Sequence, residues 1–574
     1  MNRLLTYFKG YKREIVMAPL FKALEAVLEL FIPLVVASII DVGIDSGDKT
    51  YVVKICLLMA GLGLAGLSCT LVAQYFSAKA AVGFAETLRH KLFAHIQSLS
   101  YTELDSVGSA TLITRLSSDI NQVQNGVNWT LRLFLRSPVI VFGAMIMAFT
   151  IDFKAAIIFV ITILLLFIVV FGIMLGCIPL YNKIQGKLDG VLNITRENLS
   201  GVRVIRAFCK EDEEIAAFDK TNNELTVLQK FTGKISALMN PLTFIIINTA
   251  IIFLIHTGAV EVHLGILTQG AVVALYNYMS QILVELVKLA NLIINITKSV
   301  ACGNRIADVL DIEPGMTAPE KEIKAFGSES IVEINHASLR YKDAADRSLT
   351  DISLKVRKGE TVGIIGGTGS GKSSLVNMIA RFYDAESGEV LVNGINVKDY
   401  PLSQLRSYIG IVPQKAVLFR GTVRENMQWG KKDADDDEIM KALEIAQAKE
   451  FVEKKDGGLD YVIEQGGKNL SGGQRQRLTI ARALVGNPEI LILDDSSSAL
   501  DFATDAALRK SLREMEDKPT VFIVSQRASS IQYADQIIVL DDGETAGIGK
   551  HDELLEKCAI YKEIYDSQFS KEGN

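Results

Sequence analysis

Long stretches without a charged side chain recur through the first 300 residues, and they constrain the fold more than any other feature. A helix of about 20 such residues crosses the hydrocarbon core of a bilayer. Five stretches reach or approach that length: Ile55–Ala78, Ser137–Ile151, Ala155–Asn182, Ile235–Val260 and Leu264–Val284. The second is short, and it becomes long enough if Leu131–Leu135 joins it. We therefore predict a transmembrane helix from each.

A sixth stretch, Ile15–Ile40, is apolar apart from Lys22, Glu25 and Glu29, and it brings the predicted number of spans to six. Composition agrees, because hydrophobic residues make up 49% of the 574-residue chain and mean hydropathy is +0.26. The apolar surplus lies before residue 300. The sequence thus predicts a polytopic α-helical membrane domain followed by a soluble domain. The N-terminus is basic and has no cleavable signal pattern, so we expect the first span to remain as an anchor.

The loops between these stretches fall into a short and a long class. The loops near residues 79–136 and 183–234 are long, and the other three are short. The long loops carry a series of basic residues: Arg89, Lys91, Arg115, Arg132, Arg136, Lys183, Lys187, Arg196, Arg203, Arg206 and Lys210. Because basic loops stay in the cytoplasm, we place both long loops and both termini there. Their helical periodicity predicts helices that continue past the membrane and turn back at a short tip.

Charged residues inside the predicted spans are costly there and are candidates for a function. Lys22, Glu25 and Glu29 lie at i, i+3 and i+7 on one face of the first helix. Glu285 and Lys288 lie in the sixth. One interpretation is internal ion pairing, Lys22 with Glu25 and Glu285 with Lys288. The other is that Glu25, Glu29 and Glu285 line a substrate cavity that selects cationic compounds.

A polar, turn-rich segment at 311–329 is a plausible linker between a membrane domain at 1–310 and a second domain at 330–574. In the second domain, the strand Thr361–Ile365 leads into Gly366-Gly367-Thr368-Gly369-Ser370-Gly371-Lys372-Ser373, and a helix follows from Ser374. This order is typical of the phosphate loop of an α/β P-loop ATPase domain. Backbone N–H groups cradle the phosphates, Lys372 neutralises them, and Ser373 binds Mg²⁺. ATP and Mg²⁺ are therefore the predicted cofactors.

Two further motifs extend this site. The apolar strand Ile490–Leu493 ends in Asp494, a carboxylate placed to bind Mg²⁺ directly or through water. Leu470-Ser471-Gly472-Gly473-Gln474 opens an apolar helix and forms a second anion-binding helix N-terminus. One domain needs only one cradle for a γ-phosphate. The second is therefore predicted to serve a nucleotide held by another subunit.

In combination, these motifs resemble those of ABC exporter half-transporters of the multidrug type, over nearly the whole chain. For the nucleotide, the resemblance implies that Gly366–Ser374 surround the ATP phosphates, that Tyr341 stacks on adenine and that Gln414 is a Mg²⁺-binding Q-loop residue. It also implies three motifs: the signature with Ser471, Gly472, Gly473 and Gln474, the D-loop Ser498–Asp501 and the switch segment Ile523–Arg527. In the membrane domain it implies that Gly108–Leu116 and Gly201–Phe208 are coupling helices on nucleotide-binding domains. It also implies a head-to-tail dimer, in which each ATP lies between one subunit's phosphate loop and the other's signature.

Two positions depart from the family pattern. Asp495 stands where the family has the Glu that polarises the attacking water, and Gln526 stands where it has a His that contacts the γ-phosphate. The Asp carboxylate is one methylene shorter than that of Glu, and a catalytic group misplaced by ~1 Å can lower the rate about 10²-fold. Loss of general-base catalysis can lower the rate ~10²–10⁴-fold. The signature is intact. This pattern resembles the degenerate subunit of a heterodimeric exporter, whose partner supplies the Glu and the His. The alternative is a slow homodimer with two weakened sites.

The predicted function is ATP-driven export of an amphipathic compound across a bacterial plasma membrane. A regulatory or sensing membrane ATPase and a dedicated peptide or lipid exporter are the other candidates. An importer is disfavoured, because importers usually keep membrane and nucleotide domains on separate chains. The net charge of −6 gives no basic footprint for nucleic acid. The six cysteines are scattered without a C-x-x-C pair, which indicates reduced, structural thiols.

Overall fold

The computed structural model describes residues 4–323, 328–342 and 344–569. It divides into two compact units. The first comprises Met1–Gln97 and Ala110–Ile312, and the second comprises Ser98–Ser109 and Glu313–Asn574.

The first unit is built from six long helical segments, which are the helices of the described residues that are long and apolar enough to span a membrane. We call them spans 1 to 6: Thr6–Ile44, Lys49–Ser98, Ser109–Ile151, Phe153–Ala207, Glu211–His263 and Gln269–Leu310. This confirms the predicted six spans. Spans 2, 4 and 5 are 50, 55 and 53 residues long, well beyond the ~20 residues that a bilayer needs. The long loops are therefore helical, as their periodicity predicts.

The start of span 6 differs from the sequence-based prediction. The helix begins at Gln269, not at Leu264, because Thr268 caps it by accepting a hydrogen bond from the Ala271 N–H. Asp41 of span 1 accepts hydrogen bonds from the Gly270 N–H at 2.7 Å and from the Thr268 hydroxyl at 2.6 Å. A Cβ at Gly270 would lie 2.4 Å from a backbone oxygen of span 1. The glycine therefore permits the close approach that these bonds require.

Small residues form much of the buried core of the first unit. Alanines of spans 1, 3, 4, 5 and 6 pack around larger side chains such as Phe159 and Tyr278. The Tyr278 hydroxyl is buried and donates to the Leu30 carbonyl at 2.5 Å. Small side chains let membrane helices approach closely, which increases van der Waals contact where no hydrophobic force favours association. The alanine-rich packing is thus typical of helices that associate within a bilayer.

The second unit carries two larger sheets and a two-stranded one. The strands are β1 Ser330–Leu339, β2 Leu349–Arg357, β3 Thr361–Gly366, β4 Ser387–Val392, β5 Ile395–Asn396, β6 Ile409–Val412, β7 Gly421–Thr422, β8 Val462–Ile463, β9 Ile490–Asp494, β10 Thr520–Val524, β11 Gln536–Asp541 and β12 Glu544–Gly549. The four-stranded sheet is antiparallel in the order β2-β1-β4-β5. The six-stranded sheet has the order β12-β11-β3-β10-β9-β6 and is parallel except for β12. This confirms the predicted α/β fold.

The helices of the second unit surround these sheets. Their bounds are Tyr101–Val107, Lys372–Ile379, Leu402–Ser407, Val423–Met427, Asp436–Ile445, Lys449–Glu453, Gly472–Leu484, Phe502–Arg513, Ala528–Ile531, His551–Lys557 and Ala559–Phe569. One buried core lies between the four-stranded sheet and the parallel strands, and a second lies on the other side of the six-stranded sheet. Because both faces of the parallel strands are covered, β9 and β10 are buried at every position.

The Tyr101–Val107 helix corrects the prediction for the first coupling helix. The sequence resemblance placed it at Gly108–Leu116, but residues from Ala110 onward belong to the first unit. Tyr101 instead packs its ring against Phe382, with ring centroids 4.7 Å apart, and Asp105 accepts a hydrogen bond from the Tyr383 hydroxyl at 2.5 Å. The helix that contacts the nucleotide-binding fold therefore precedes the predicted segment.

Candidate nucleotide site

Three parallel strands bring the phosphate loop and the acidic motif to one edge of the sheet. β3, β9 and β10 are adjacent and end at Gly366, Asp494 and Val524. Ligands of open α/β sheets bind beyond the carboxyl ends of such strands. The loop after β3 turns into the Lys372–Ile379 helix at Gly371, which has φ +91° and leaves no room for a Cβ beside Ser348. The sequence thus forms a tight loop that ends in a helix N-terminus.

Lys372 is folded back over this loop. Its ammonium donates to the carbonyls of Gly366 at 3.0 Å and Gly367 at 2.5 Å. Burial lowers the pKa of Lys372, and the nearby carboxylates of Asp495 and Asp494 oppose that change. The lysine side chain lies over the loop, where phosphates bind in sites of this type.

Asp494 and Ser373 form an oxygen-rich corner beside the lysine. The Ser373 hydroxyl donates to the Asp494 carboxylate at 3.0 Å. Burial raises the pKa of Asp494 and the Asp495 charge adds to it, whereas Ser373 and Lys372 oppose the rise. Mg²⁺ prefers hydroxyl, carboxylate and amide oxygens. Together with Gln414 on the same cavity, this donor set fits Mg²⁺.

A cavity of about 350 Å³ joins these groups. Eleven of the predicted residues line it: Tyr341, Thr368, Gly369, Gly371, Lys372, Ser373, Ser374, Gln414, Asp494, Asp495 and Gln526. Val524 and Ser525 of the predicted switch segment also line it, as does Ser348, which was not predicted as a site residue. Ser348 lies just before β2, outside every recognisable motif. Gly366, Gly367 and Ser370 contact Lys372 from the loop instead of lining the cavity.

Tyr341 and Asp495, which both line the cavity, are each held by local contacts. The Tyr341 hydroxyl shares a hydrogen bond of 2.8 Å with Ser374, and its ring meets that of Tyr383 edge-on. Asp495 has φ +46°, a left-handed conformation that Asp tolerates better than most residues. Its N–H donates to the Val524 carbonyl at 3.0 Å. Asp495 is therefore fixed between the ends of β9 and β10.

The signature residues lie elsewhere on the second unit. Ser471 caps the Gly472–Leu484 helix: its hydroxyl accepts from the Gln474 N–H, and the Gln474 side chain accepts from the Ser471 N–H. Ser471 and Gly472 are exposed, and none of the four residues Ser471–Gln474 is among the described residues that line the cavity. The structure thus provides one phosphate cradle inside the cavity and a capped, exposed helix N-terminus outside it.

Six charged residues of spans 1, 3 and 6 form one cluster around Arg136. Its guanidinium donates to Glu285 at 2.5 Å and to Glu29 at 2.8 Å, and its Nε lies 3.8 Å from Glu25. Lys22 pairs with Glu25 at 2.5 Å, and Lys288 pairs with Glu285 at 2.9 Å. These are the two internal pairs of the first sequence interpretation. Arg136, assigned to a cytoplasmic loop in the sequence analysis, joins them and was missed as a site residue.

A second cavity, of about 450 Å³, borders this cluster. Glu29, Glu285 and Lys288 line it together with polar residues of span 6 such as Asn277 and Gln281. Glu25 is not among the described residues that line this cavity, and its role in substrate binding stays a prediction. The Glu29 side chain is 34% exposed, against 4% for Glu285. Glu29 is therefore the more accessible of the two lining carboxylates.

Comparison with known proteins agrees with this architecture. The family described as ABC transporter transmembrane region matches residues 15–286, and the family described as ABC transporter matches residues 349–498. The uncharacterized ABC transporter ATP-binding protein YfiB of Bacillus subtilis (strain 168) is 36% identical over 574 residues, which is 100% of both chains. An ATP-dependent lipid A-core flippase of Vibrio vulnificus (strain YJ016) is 28% identical and covers 99% of this chain and 98% of its own.

A bacterial Atm1-family ABC exporter solved with ATP bound has the same fold, with a TM-score of 0.81 at 22% identity, over 98% of this chain and 99% of that one. The fold and the site define a multi-pass membrane protein with a fused ATPase domain. This chain belongs to the ABC transporter family, as an exporter half-transporter whose ATP-binding domain follows its transmembrane region on one chain.

Proposed function

We propose that the chain is one half of a heterodimeric exporter of amphipathic compounds in a bacterial plasma membrane. Its own nucleotide site binds ATP and hydrolyses it slowly, and its signature helix completes the competent site of a different half-transporter. One observation carries the proposal. Asp495 and Gln526 line the same cavity as the intact phosphate loop, while the intact signature is exposed outside it.

Each lining residue has a defined part in nucleotide binding. The Tyr341 ring offers a face on which adenine stacks, and the loop N–H groups together with Lys372 bind the phosphates. Ser373, Asp494 and Gln414 would hold Mg²⁺, which supplies charge neutralisation on the phosphates when bound. The binding half of the machinery is thus complete.

The hydrolytic half is weakened at two positions. The Asp495 carboxylate is one methylene shorter than that of Glu, so it retreats from the water that a Glu would polarise. Because misplacing a catalytic group by ~1 Å can lower the rate about 10²-fold, the shorter Asp495 side chain alone makes hydrolysis at the site slow. Gln526 can donate a hydrogen bond to a phosphate but carries no positive charge. The two changes act on the same reaction, which makes a partner with the missing groups necessary for fast turnover.

The experiment compares the chain purified alone with the chain co-purified with the half-transporter encoded beside it. We expect the pair to hydrolyse ATP at least tenfold faster than the chain alone. Replacing the catalytic Glu of the partner should remove most of that activity, whereas Lys372→Ala in this chain should remove less. If the chain alone reaches the rate of the pair, the proposed asymmetry is wrong.

The substrate cavity supports an amphipathic cargo. Within the cluster, three carboxylates and three cations balance each other, so the region carries no net charge (Lys22, Glu25, Glu29, Arg136, Glu285 and Lys288). The half-exposed Lys288 and the partly exposed Glu29 therefore offer both signs of charge to a cargo. We propose that Glu29 binds the cationic part of the cargo while apolar residues such as Ile32 and Val36 contact its apolar part.

A further inference from the structure

The C-terminal helix Ala559–Phe569 reaches the loop that follows β10. Its Gln568 side chain uses both ends of its amide there. The Nε2 group donates to the Gln526 carbonyl at 2.8 Å, and the Oε1 atom accepts from the Ala528 N–H at 2.8 Å. Two bonds from one planar amide fix both the distance and the orientation of the backbone on either side of Arg527.

This loop forms one wall of the nucleotide cavity. Val524, Ser525 and Gln526 line that cavity beside Lys372 and Asp495. The sheet holds the chain as far as Val524, and the Ser525 N–H still donates to the Ile364 carbonyl of β3 at 3.0 Å. Gln526 is the next residue, and its carbonyl accepts the hydrogen bond from the Gln568 amide. Gln568 therefore acts on the backbone of the residue that carries the altered switch side chain.

The helix that presents Gln568 is anchored independently of it. Tyr561 is fully buried, and its hydroxyl lies 2.8 Å from the His551 ring nitrogen. Ile564 and Tyr565 pack against the core of the second unit. Tyr561, Ile564 and Gln568 follow one another at spacings of three and four residues, which places them on one helical face. Removing the Gln568 amide should therefore leave the helix docked.

We propose that Gln568 is a positioning residue for the switch segment, through which the C-terminal helix sets how strongly the site distinguishes ATP from ADP. The proposal rests on the proposed role of Gln526 near the γ-phosphate. Since ADP lacks that phosphate, a misplaced Gln526 weakens ATP binding and leaves ADP binding unchanged. A helix that served only to stabilise the fold would affect both nucleotides alike.

The test measures ATP and ADP affinities of the full-length chain in detergent, by displacement of a fluorescent nucleotide analogue at low temperature, where turnover is slow. Losing about 1 kcal/mol for a hydrogen bond corresponds to roughly a fivefold change in affinity. For Gln568→Ala we expect ATP affinity to fall about fivefold and ADP affinity to change less than twofold. Ser567→Ala is the matched control, because that exposed hydroxyl bonds only within its own helix, to Ile564.

Gln568→Glu separates positioning from packing. It keeps the shape of the side chain and the acceptor for Ala528, but it places a carboxylate oxygen against the Gln526 carbonyl. We expect it to lose ATP preference at least as fully as Gln568→Ala, with an unchanged melting temperature. Wild-type ATP preference in Gln568→Glu, or equal loss of ATP and ADP in either variant, would overturn the inference. A wild-type chain that binds neither nucleotide would instead contradict the proposed function.

Discussion

At the scale of single residues, the proposed function separates nucleotide binding from hydrolysis. Lys372, Ser373 and Asp494 form a connected, partly buried constellation, and Asp495 is held in a left-handed backbone conformation beside it. In the proposed function, Asp495 and Gln526 stand at positions that act on the attacking water and the γ-phosphate. Restoring hydrolysis should therefore require changes at both positions.

We expect Asp495→Glu alone to change the turnover of the assembled transporter by less than tenfold, because Gln526 still lacks a positive charge. The double variant Asp495→Glu with Gln526→His should raise turnover by more than the product of the two single fold-changes. The two effects are not additive in free energy, since both groups act on one transition state. Steady-state phosphate release from the three variants checks this. A single variant that matches the double one would show that one substitution alone limits the site.

Arg136 is the residue on which the charged cluster of the first unit depends. Removing one partner of a buried ion pair typically destabilises a protein by about 3 kcal/mol, because the remaining charge stays buried without compensation. We expect Arg136→Gln to lower the melting temperature in detergent, and Arg136→Gln with Glu285→Gln to recover part of the loss. Unchanged melting of the single variant would mean that Lys288 and Ser137 satisfy Glu285 on their own.

At the scale of elements, local motifs were predictable and distant pairings were not. The phosphate loop and the signature are each a continuous stretch of sequence, so the residue spacing within each stretch alone predicts the local strand, loop or helix. In the Arg136 cluster, Arg136 is separated from Glu29 by 107 positions in the sequence and from Glu285 by 149. Neither pairing is visible in a helical pattern. The start of span 6 was missed for a related reason: its cap is completed by Asp41, far away in the sequence. The first coupling helix was predicted to begin at Gly108, whereas that glycine caps the C-terminus of the Tyr101–Val107 helix.

The signature helix provides a prediction about an element that we propose serves another subunit. Gly473 is close-packed, because a Cβ on it would lie 3.3 Å from the Ala499 carbonyl oxygen, whereas a Cβ on Gly472 would have nothing within 4 Å. Gly473→Asp should block ATP hydrolysis by the assembled transporter, because it sets a negative charge at the helix N-terminus that we propose binds the partner's γ-phosphate. Nucleotide trapping should still label the Lys372 site.

Gly472→Ala is the matched control for Gly473→Asp, and it should retain most of the activity. Equal loss of nucleotide at both sites in Gly473→Asp would contradict a role in trans, because it would indicate a general defect in folding or assembly.

The Tyr101–Val107 helix provides a pH-dependent prediction. Burial tends to raise the pKa of Glu103, but bonds from the Ser100 hydroxyl and N–H and from the Gly315 N–H outweigh it and lower the pKa below its ordinary 4.5. A lowered folded pKa means that the charged form stabilises the fold at pH values above the ordinary one. That contribution is lost as the pH falls through the folded pKa. Because it replaces a charged acceptor by a neutral one, Glu103→Gln should therefore destabilise the fold by about 1 kcal/mol at pH 7, and less in acid.

Melting temperatures of wild type and Glu103→Gln between neutral and acidic pH check this sign. A difference that grows on acidification would contradict it, as would one that does not change with pH. Glu313→Gln is a suitable control, because it removes an exposed carboxylate two residues from Gly315.

At the scale of the whole molecule, we expect the cavity bordered by Glu29 to determine which cargo the proposed exporter accepts. We expect Glu29→Gln to reduce transport of a cationic amphipathic dye several-fold and to leave a neutral dye of similar size unaffected, because a charge-assisted contact is worth roughly 1.5–3 kcal/mol. Lys288→Gln should act in the opposite direction, since it removes a like charge from the same cavity wall.

Glu261→Gln is the control: its carboxylate is buried and pairs with Lys154 away from this cavity. Dye uptake into inverted vesicles, normalised to the amount of transporter, measures the ratio. If Glu29→Gln lowers both dyes equally and the protein level falls with them, the carboxylate stabilises the helix packing through Arg136 and does not select the cargo.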